Sequence, residues 1–387
     1  MVANLPYWRL SAFYFFFFAA LGAFVPYWSL YLTELGLSPA QIGELIAIFT
    51  LMKIVSPNLW GWVADHSGHR IQLTRLLTLL ATLAFCMLFL AGDYAWVALV
   101  MLLYGLFWHA ITPQFEATTL NHLGPHLHRY SHIRLWGSIG FIVAVVALGP
   151  LLDRFGARWF LPAVVLLLGA TTLCSFLVPA DSGHREVSAE QGLLRVLRRP
   201  EVVGLLAAGF LMQMSHGPYY VFYSLYLQEV GYSRSVIGLL WGLGVLAEVV
   251  LFVYMHRIFA RYTIRFLMLA SLALTTVRWL LISHYADSGA IMFAAQWLHA
   301  ASFGLFHAVA MQLVHHHFVG KQQVRGQSLY TSIAFGIGGG CGSYLSGNLW
   351  QRLGADWVFS LAAVATALAF VIAWYSVRYG RAFGAGG

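Results

Sequence analysis

The stretch Ser29-Leu-Tyr-Leu-Thr-Glu-Leu-Gly-Leu-Ser-Pro-Ala-Gln-Ile-Gly43 returns 195 residues later as Ser224-Leu-Tyr-Leu-Gln-Glu-Val-Gly-Tyr-Ser-Arg-Ser-Val-Ile-Gly238. Nine of the fifteen positions are identical and no gap is needed. The shift is close to half of the 387-residue chain. The same offset pairs Arg70 with Arg265, and a slightly longer one pairs Arg154-Phe-Gly-Ala-Arg-Trp159 with Arg352-Leu-Gly-Ala-Asp-Trp357. The chain is therefore a tandem duplication. Ten residues beyond each Ile-Gly the halves differ in sign, with Lys53 in the first and Glu248 in the second.

Composition says where those charges sit. The chain is 60% hydrophobic and 9% charged, with a mean hydropathy of +0.74. Ordinary soluble domains carry about a quarter charged residues. An integral membrane protein follows. A helix that crosses a bilayer needs roughly 20 apolar residues. Twelve such stretches are predicted, centred near Phe18, Phe49, Leu80, Leu103, Val143, Leu166, Gly209, Gly244, Leu272, Ala301, Gly338 and Ala365. The expected fold is all-α, with twelve transmembrane helices in two six-helix repeats. The domains are a bundle at 1–178, a cytoplasmic linker at 179–200 and a second bundle at 201–387. The apolar run after Arg9 continues through Pro26 to Leu32 without a small-residue cleavage site, so it reads as the first span and not as a removable signal.

Of the 22 Lys and Arg, three lie within spans and four (Arg154, Arg158, Arg234, Arg352) in odd-numbered loops; the other fifteen flank the termini or even-numbered loops. The positive-inside rule then places both termini in the cytoplasm of a bacterial-type inner membrane. The net charge of +8 reflects this bias and contact with anionic lipid, with Arg195, Arg198 and Arg199 as surface anchors. Nucleic acid is not an expected partner. Cys86, Cys174 and Cys341 lie in separate spans without metal-ligand spacing. No metal or cofactor is expected, and neither a zinc-protease motif nor a nucleophile elbow supports an enzyme.

Charges inside spans cost about 2.5 to 3.5 kcal/mol each on insertion scales and usually face a cavity. Here they are Lys53, Glu116, Arg134, Glu248 and Arg278, accompanied by His216, His299 and His307. Glu116 ends the fourth span and Arg134 begins the fifth, so they fall at comparable depth on adjacent antiparallel helices. Lys53 fits three roles: holding an anionic substrate, pairing with a carboxylate, or snorkelling to a headgroup. Single histidines in apolar helices are more often packed core residues than proton carriers. The Gly217-Pro218 pair in the seventh span and Gly22 with Pro26 in the first are predicted weak points at matched places. Tyr219, Tyr220 and Tyr223 either line a site there or pack the core. Gly336, Gly338, Gly339, Gly340 and Gly342 suit close packing at an interface that opens and closes.

After the second span, Gly61-Trp-Val-Ala-Asp65-His-Ser-Gly68-His-Arg70 reads as a tight turn between antiparallel helices. Gly61 and Gly68 are expected to permit close backbone approach. Asp65 is expected to meet an arginine or a helix N-terminus and to lock one conformation. The second copy, around Arg257 to Arg265, lacks the aspartate.

This turn resembles the loop signature of the major facilitator superfamily, and with the duplication the resemblance covers the whole chain. The Glu116 to Arg134 spacing and Arg134-Leu-Trp-Gly-Ser-Ile-Gly140 resemble the lactose permease branch, whose fourth-span carboxylate and fifth-span arginine line the substrate cavity. Glu248, Arg278 and His299 occupy places like that permease's coupling and substrate residues. One departure stands out: the second carboxylate expected three residues after the tenth-span histidine is Ser302. With Lys53-Ile-Val-Ser-Pro-Asn-Leu-Trp-Gly-Trp62, the chain looks most like the phenylpropionate permease group.

The resemblance implies proton-coupled symport of a small organic anion, such as an aromatic carboxylate, by alternating access to a cavity between the halves. Lys53, Arg134, Arg278, Tyr219 and Tyr223 are then the expected substrate residues. Glu116, Glu248 and His299 are the expected proton-coupling residues, and Gly61, Asp65, Gly68 and Arg70 the conformational gate. The expected partners are substrate, protons and lipid, with the chain a monomer. Sugar or nucleoside symport is the alternative, ahead of drug efflux or a non-transporting sensor.

Overall fold

The computed structural model describes residues 5–90, 92–180, 196–320 and 322–378. Among them every regular element is helical. In chain order the α-helices are α1 (Tyr7–Glu34), α2 (Pro39–Ser67), α3 (Arg70–Cys86), α4 (Tyr94–Leu123), α5 (Tyr130–Phe155), α6 (Phe160–Leu177), α7 (Pro200–Ser215) and α8 (Gly217–Val230). They continue as α9 (Arg234–Arg261), α10 (Ile264–His284), α11 (Gly289–Trp297), α12 (Phe306–His317), α13 (Gln322–Thr331), α14 (Gly339–Leu353) and α15 (Ala355–Ser376). Two π-helical segments, Ala300–Leu305 and Ser332–Gly338, join α11 to α12 and α13 to α14.

Helix ends follow their capping chemistry. Ser38 and Gln41 form a reciprocal capping box at the start of α2, and Asp93 and Thr263 cap α4 and α10. Among the described residues, nine helical stretches are long and apolar enough to cross a membrane. One of them, Tyr94–Phe155, comprises α4 and α5 with the tight Gly124–Arg129 turn between them. Large apolar side chains such as Leu166, Leu173 and Phe176 stand exposed, as a lipid-facing surface requires. The protein is a multi-pass helical membrane protein.

The chain forms two compact units: Met1–Glu186 with Tyr232–Gly242, and Val187–Gly231 with Leu243–Gly387. Most of the predicted 179–200 linker, including Arg195, lies outside the described residues.

In the first unit α1 packs tightly on α5. A Cβ at Gly22 would come within 2.6 Å of the Phe141 carbonyl oxygen, so only glycine allows this approach. Tyr27 seals the contact by donating to the Val145 carbonyl at 2.7 Å. The start of α9 belongs to this unit: Asp153 accepts from the backbone N–H groups of Arg234 and Ser235 at 3.0 and 2.9 Å, and Arg234 forms an ion pair with Glu34.

In the second unit Gly338 and Gly342 of the eleventh predicted span make the close helix approach expected of them. A Cβ at Gly338 would meet the Phe210 carbonyl oxygen at 2.6 Å, and one at Gly342 would strike the Met214 backbone. These glycines therefore pack α7 inside one unit. The two predicted weak points differ. The helix breaks at His216, between α7 and α8, where Pro218 opens a new first turn. At its repeat mate α1 runs unbroken through Pro26, supported along its length by α5 and α6.

Candidate functional site

In the first unit, Glu116 and Arg134 share an electrostatic neighbourhood but form no direct ion pair. Glu116 instead accepts from the Tyr130 hydroxyl at 3.1 Å. Tyr130 stands four residues before Arg134, one turn along α5, so the two side chains rise from one helix face. The Arg134 guanidinium lies over the Phe18 ring at 3.9 Å and faces the Tyr14 ring at 5.6 Å. The negative face of an aromatic ring attracts a cation while leaving its N–H groups available. Tyr14 in turn donates to Thr119 at 3.4 Å. Glu116 and Arg134 are both half-buried.

Lys53, on α2, has His109 of α4 as an electrostatic neighbour. His109 is fixed by a ring nitrogen 3.0 Å from the Phe49 carbonyl oxygen. The helices approach closely here because Gly105 offers no side chain to Met52 and Phe49.

The predicted gate is assembled in part. Asp65 and Arg70 form an ion pair, and Arg70 also donates to Gln114 at 3.4 Å. Gly68 ends α2 with a φ of 69°, a left-handed conformation that favours glycine. Gly61 does not serve the close approach expected of it: an added Cβ would touch only the Gln114 amide nitrogen, at 3.8 Å.

In the second unit the charged groups are densely tied. Arg278 is fully buried and uses its guanidinium on three acceptors: the Ala295 carbonyl at 3.0 Å, the Ser302 hydroxyl at 2.9 Å and the Gln296 side-chain oxygen at 3.3 Å. Its guanidinium also lies 4.3 Å from the Tyr219 ring and 4.7 Å from that of Trp279. Tyr219 donates to the same Gln296 oxygen at 3.1 Å and packs on Tyr223, ring to ring, at 4.9 Å. Glu248 meets the His299 ring at 2.8 Å, an ion pair when the imidazole is protonated and a hydrogen bond otherwise. Arg278, Tyr219, Tyr223, Glu248 and His299 are thus brought into one neighbourhood. His216 borders it, its ring 4.9 Å from Trp279, with one nitrogen 2.8 Å from the Met212 carbonyl oxygen.

Gln296, Tyr130 and His109 were not legible as site residues. Gln296 lies three before His299 and Tyr130 four before Arg134, spacings that place each pair on one helix face. His109 carries no such local signal. An apolar groove of about 280 Å³, lined by Leu211, Met214, Pro218, Leu345, Leu361 and Leu368 among others, contains none of these charged groups. Among the described residues no trio of His, Cys, Asp or Glu is placed to hold a metal ion.

A multi-pass helical protein built by duplication, with a few charged side chains held inside its helices, has the build of a membrane transporter. The chain belongs to the MFS_1 like family, whose model matches residues 7–361. It is 31% identical over 372 residues to a probable 3-phenylpropionic acid transporter of Escherichia coli (strain K12), covering 94% of this chain and 97% of that protein. It is 29% identical over 356 residues to a maltose permease of Geobacillus stearothermophilus, covering 90% and 89%. The fold matches the crystal structure of the nucleoside transporter NupG with a TM-score of 0.84 at 16% identity, over 97% of this chain and 100% of that one.

Proposed function

We propose that this protein is a proton-coupled symporter of a small organic anion, with an aromatic carboxylate such as 3-phenylpropionate as its substrate. One observation carries the reading: in each unit a guanidinium inside the helices lies against an aromatic face, Arg134 on Phe18 and Arg278 on Tyr219. An aryl carboxylate needs both parts of that chemistry, a charged fork for its carboxylate and π-faces for its ring. Lys53, Tyr223 and the neighbouring rings extend it. The probable function of the Escherichia coli relative supports the same substrate class.

Glu248 with His299, and Glu116 with Tyr130, are the groups that bind and release the proton. The halves 1–178 and 201–387, joined by the 179–200 linker, alternate access to the two membrane faces, and Asp65 with Arg70 biases that exchange. The chain acts as a monomer in the bacterial inner membrane with both termini in the cytoplasm. Sugar or nucleoside symport is the second reading. The hydroxyl and amide groups of Tyr219 and Gln296, together with the maltose permease relative, favour it.

The decisive experiment is counterflow of labelled 3-phenylpropionate in proteoliposomes, repeated under an inward proton gradient with Arg134→Ala as the control. Gradient-driven uptake that disappears in the variant supports the proposal. Well-folded protein that exchanges glycosides or nucleosides but not aryl acids replaces it with the second reading.

A further inference from the structure

The apolar groove of the second unit has no part in the charge chemistry around Arg278. One end of it is set by the helix break at His216. A Cβ at Gly217 would strike the Gly342 backbone, so α8 and α14 meet there with no side chain between them. From that contact the groove runs along α14 and α15. Ser346, Ala362 and Ala365 are buried along its floor, and Leu345, Leu361 and Leu368 stand exposed at its rim. Its hydroxyls are already paired. Ser346 donates to the Ser343 carbonyl at 3.0 Å, and Ser215 donates to the Met212 carbonyl at 2.7 Å while accepting from Trp279 at 3.1 Å. A polar group placed in the groove would be desolvated without a partner, whereas an apolar chain loses nothing there.

The groove opens toward lipid, and its depth matches one leaflet. Leu361, Val364, Leu368 and Val371 are exposed at three- and four-residue intervals, which makes them the lipid-facing stripe of α15. The exposed Trp357 and Trp374 bracket this stripe, as tryptophans at the two membrane–water interfaces do. They are seventeen residues apart, about 25 Å of helix against a hydrocarbon core of roughly 30 Å. The α15 wall of the groove starts at Val358, next to the first of these tryptophans, and ends at Leu368. That span is about 15 Å, half the core and the depth a lipid tail occupies in one leaflet.

A cation stands at the interfacial end. Leu345 and Leu349 line the groove four residues apart and Arg352 follows three residues later, so all three share one face of α14. Arg352 is exposed, and no hydrogen bond or ion pair ties it among the described residues. The neighbouring Asp356 carboxylate accepts instead from the Tyr226 hydroxyl at 2.5 Å. Arg352 is also one of the four basic residues that depart from the loop bias of the chain. Arg234, another of the four, is taken up by Glu34, whereas Arg352 has no such carboxylate. A guanidinium in that position is a ready partner for a phosphate.

We propose that the groove is a phospholipid site: one acyl chain lies along α14 and α15 from the level of Trp357 to the middle of the bilayer, and the phosphate rests on Arg352. A tail that enters the groove leaves an equally apolar bilayer, so no hydrophobic transfer drives it. Dispersion contacts with walls that would otherwise face a void hold the chain, and the arginine holds the headgroup. Met214 and Pro218, on either side of the α7–α8 break, both line the groove, so the bound chain braces that break.

The test uses the full-length protein in vesicles of phosphatidylcholine and phosphatidylglycerol, with a trace of phosphatidylglycerol that carries a diazirine on one acyl chain. After illumination the labelled residues are mapped by proteolysis and mass spectrometry. Exposed Leu166, Leu173 and Phe176 on α6 report passing contact with bulk lipid. In the parent, labelling at 342–349 and 358–368 should exceed the α6 level by at least about ten-fold. Ser346→Leu and Ala365→Leu fill the floor from different walls, and each should remove that excess. Arg352→Gln should lower it about five-fold, the effect of one arginine beside an anionic surface. Parent labelling equal to that of α6 overturns the proposal without recourse to any variant. So does an excess that survives in either filling variant or in Arg352→Gln. An excess displaced by 3-phenylpropionate also overturns it, because the groove would then be a site for that acid and not for a lipid.

Discussion

The two units hold an intramembrane arginine by opposite means. Arg134 in the first lies on an aromatic face, half-buried, with its carboxylate neighbour bonded to a tyrosine. Arg278 in the second is fully buried and committed to three oxygen acceptors. The two are not repeat mates. At offsets of 195 and 198 the counterparts of Arg134 are Leu329 and Ser332, and those of Arg278 are Leu83 and Leu80. The duplication therefore accounts for the helical scaffold but not for these two arginines. The difference in tethering leaves Arg134 the less committed of the two guanidiniums and ties Arg278 into its surroundings.

The largest expected effect follows from that difference. Arg278→Met takes a donor from the buried Ala295 and Ser302 oxygens, while Gln296 keeps the Tyr219 hydroxyl, and unfolding stability should fall by about 3 kcal/mol. Arg134→Met removes the cation–π contacts with Phe18 and Tyr14 but no hydrogen bond among the described residues, and should lose about 1 kcal/mol while abolishing accumulation. Thermal unfolding of the two purified variants in one detergent makes the comparison. Equal destabilisation would show that the tethering does not differ in energy.

Much of this was legible from residue identity. The duplication fixed the correspondence of Lys53 with Glu248, and span chemistry singled out Glu116, Arg134 and Arg278. The resemblance grouped Glu248 with His299, but their contact was not legible, because the two lie on helices whose packing no local spacing reveals. Sequence spacing suggested that Glu116 meets Arg134. The structure interposes Tyr130, since an aromatic residue one turn earlier reaches the carboxylate first. The π-helical segments were also hidden: nothing in Ala300-Ala-Ser-Phe-Gly-Leu305 distinguishes an extra residue in the turn from ordinary helix.

Single hydrogen bonds offer a finer comparison. Ser302→Ala takes one acceptor from a buried cation and should cost about 2 kcal/mol. Tyr130→Phe removes one donor from the half-buried Glu116 and should cost about 1 kcal/mol. The chemical denaturation midpoints of these two variants measure the contrast. A costlier Tyr130→Phe would mean that the first unit, and not the second, depends on its polar network. Transport should separate them further, because Tyr130→Phe alters a proposed proton-coupling carboxylate directly.

The smallest effect belongs to the turn after α2, where the two halves also diverge. Asp65 pairs with Arg70 in the first half, while Ala260 stands at its repeat position before Arg265. Asp65→Asn makes the first turn resemble the second. The Asp65 side chain is 41% exposed, so solvent screens the pair and its loss should lower stability by less than about 0.5 kcal/mol. A gate does not need a large energy to act: a conformational equilibrium near balance shifts more than two-fold for about 0.5 kcal/mol. Cysteine accessibility measured from the two membrane faces should therefore change in Asp65→Asn even though the melting temperature hardly moves. Unchanged accessibility would reduce the ion pair to a surface contact and leave Gly68, whose left-handed φ ends α2, as the part of the turn that the fold requires.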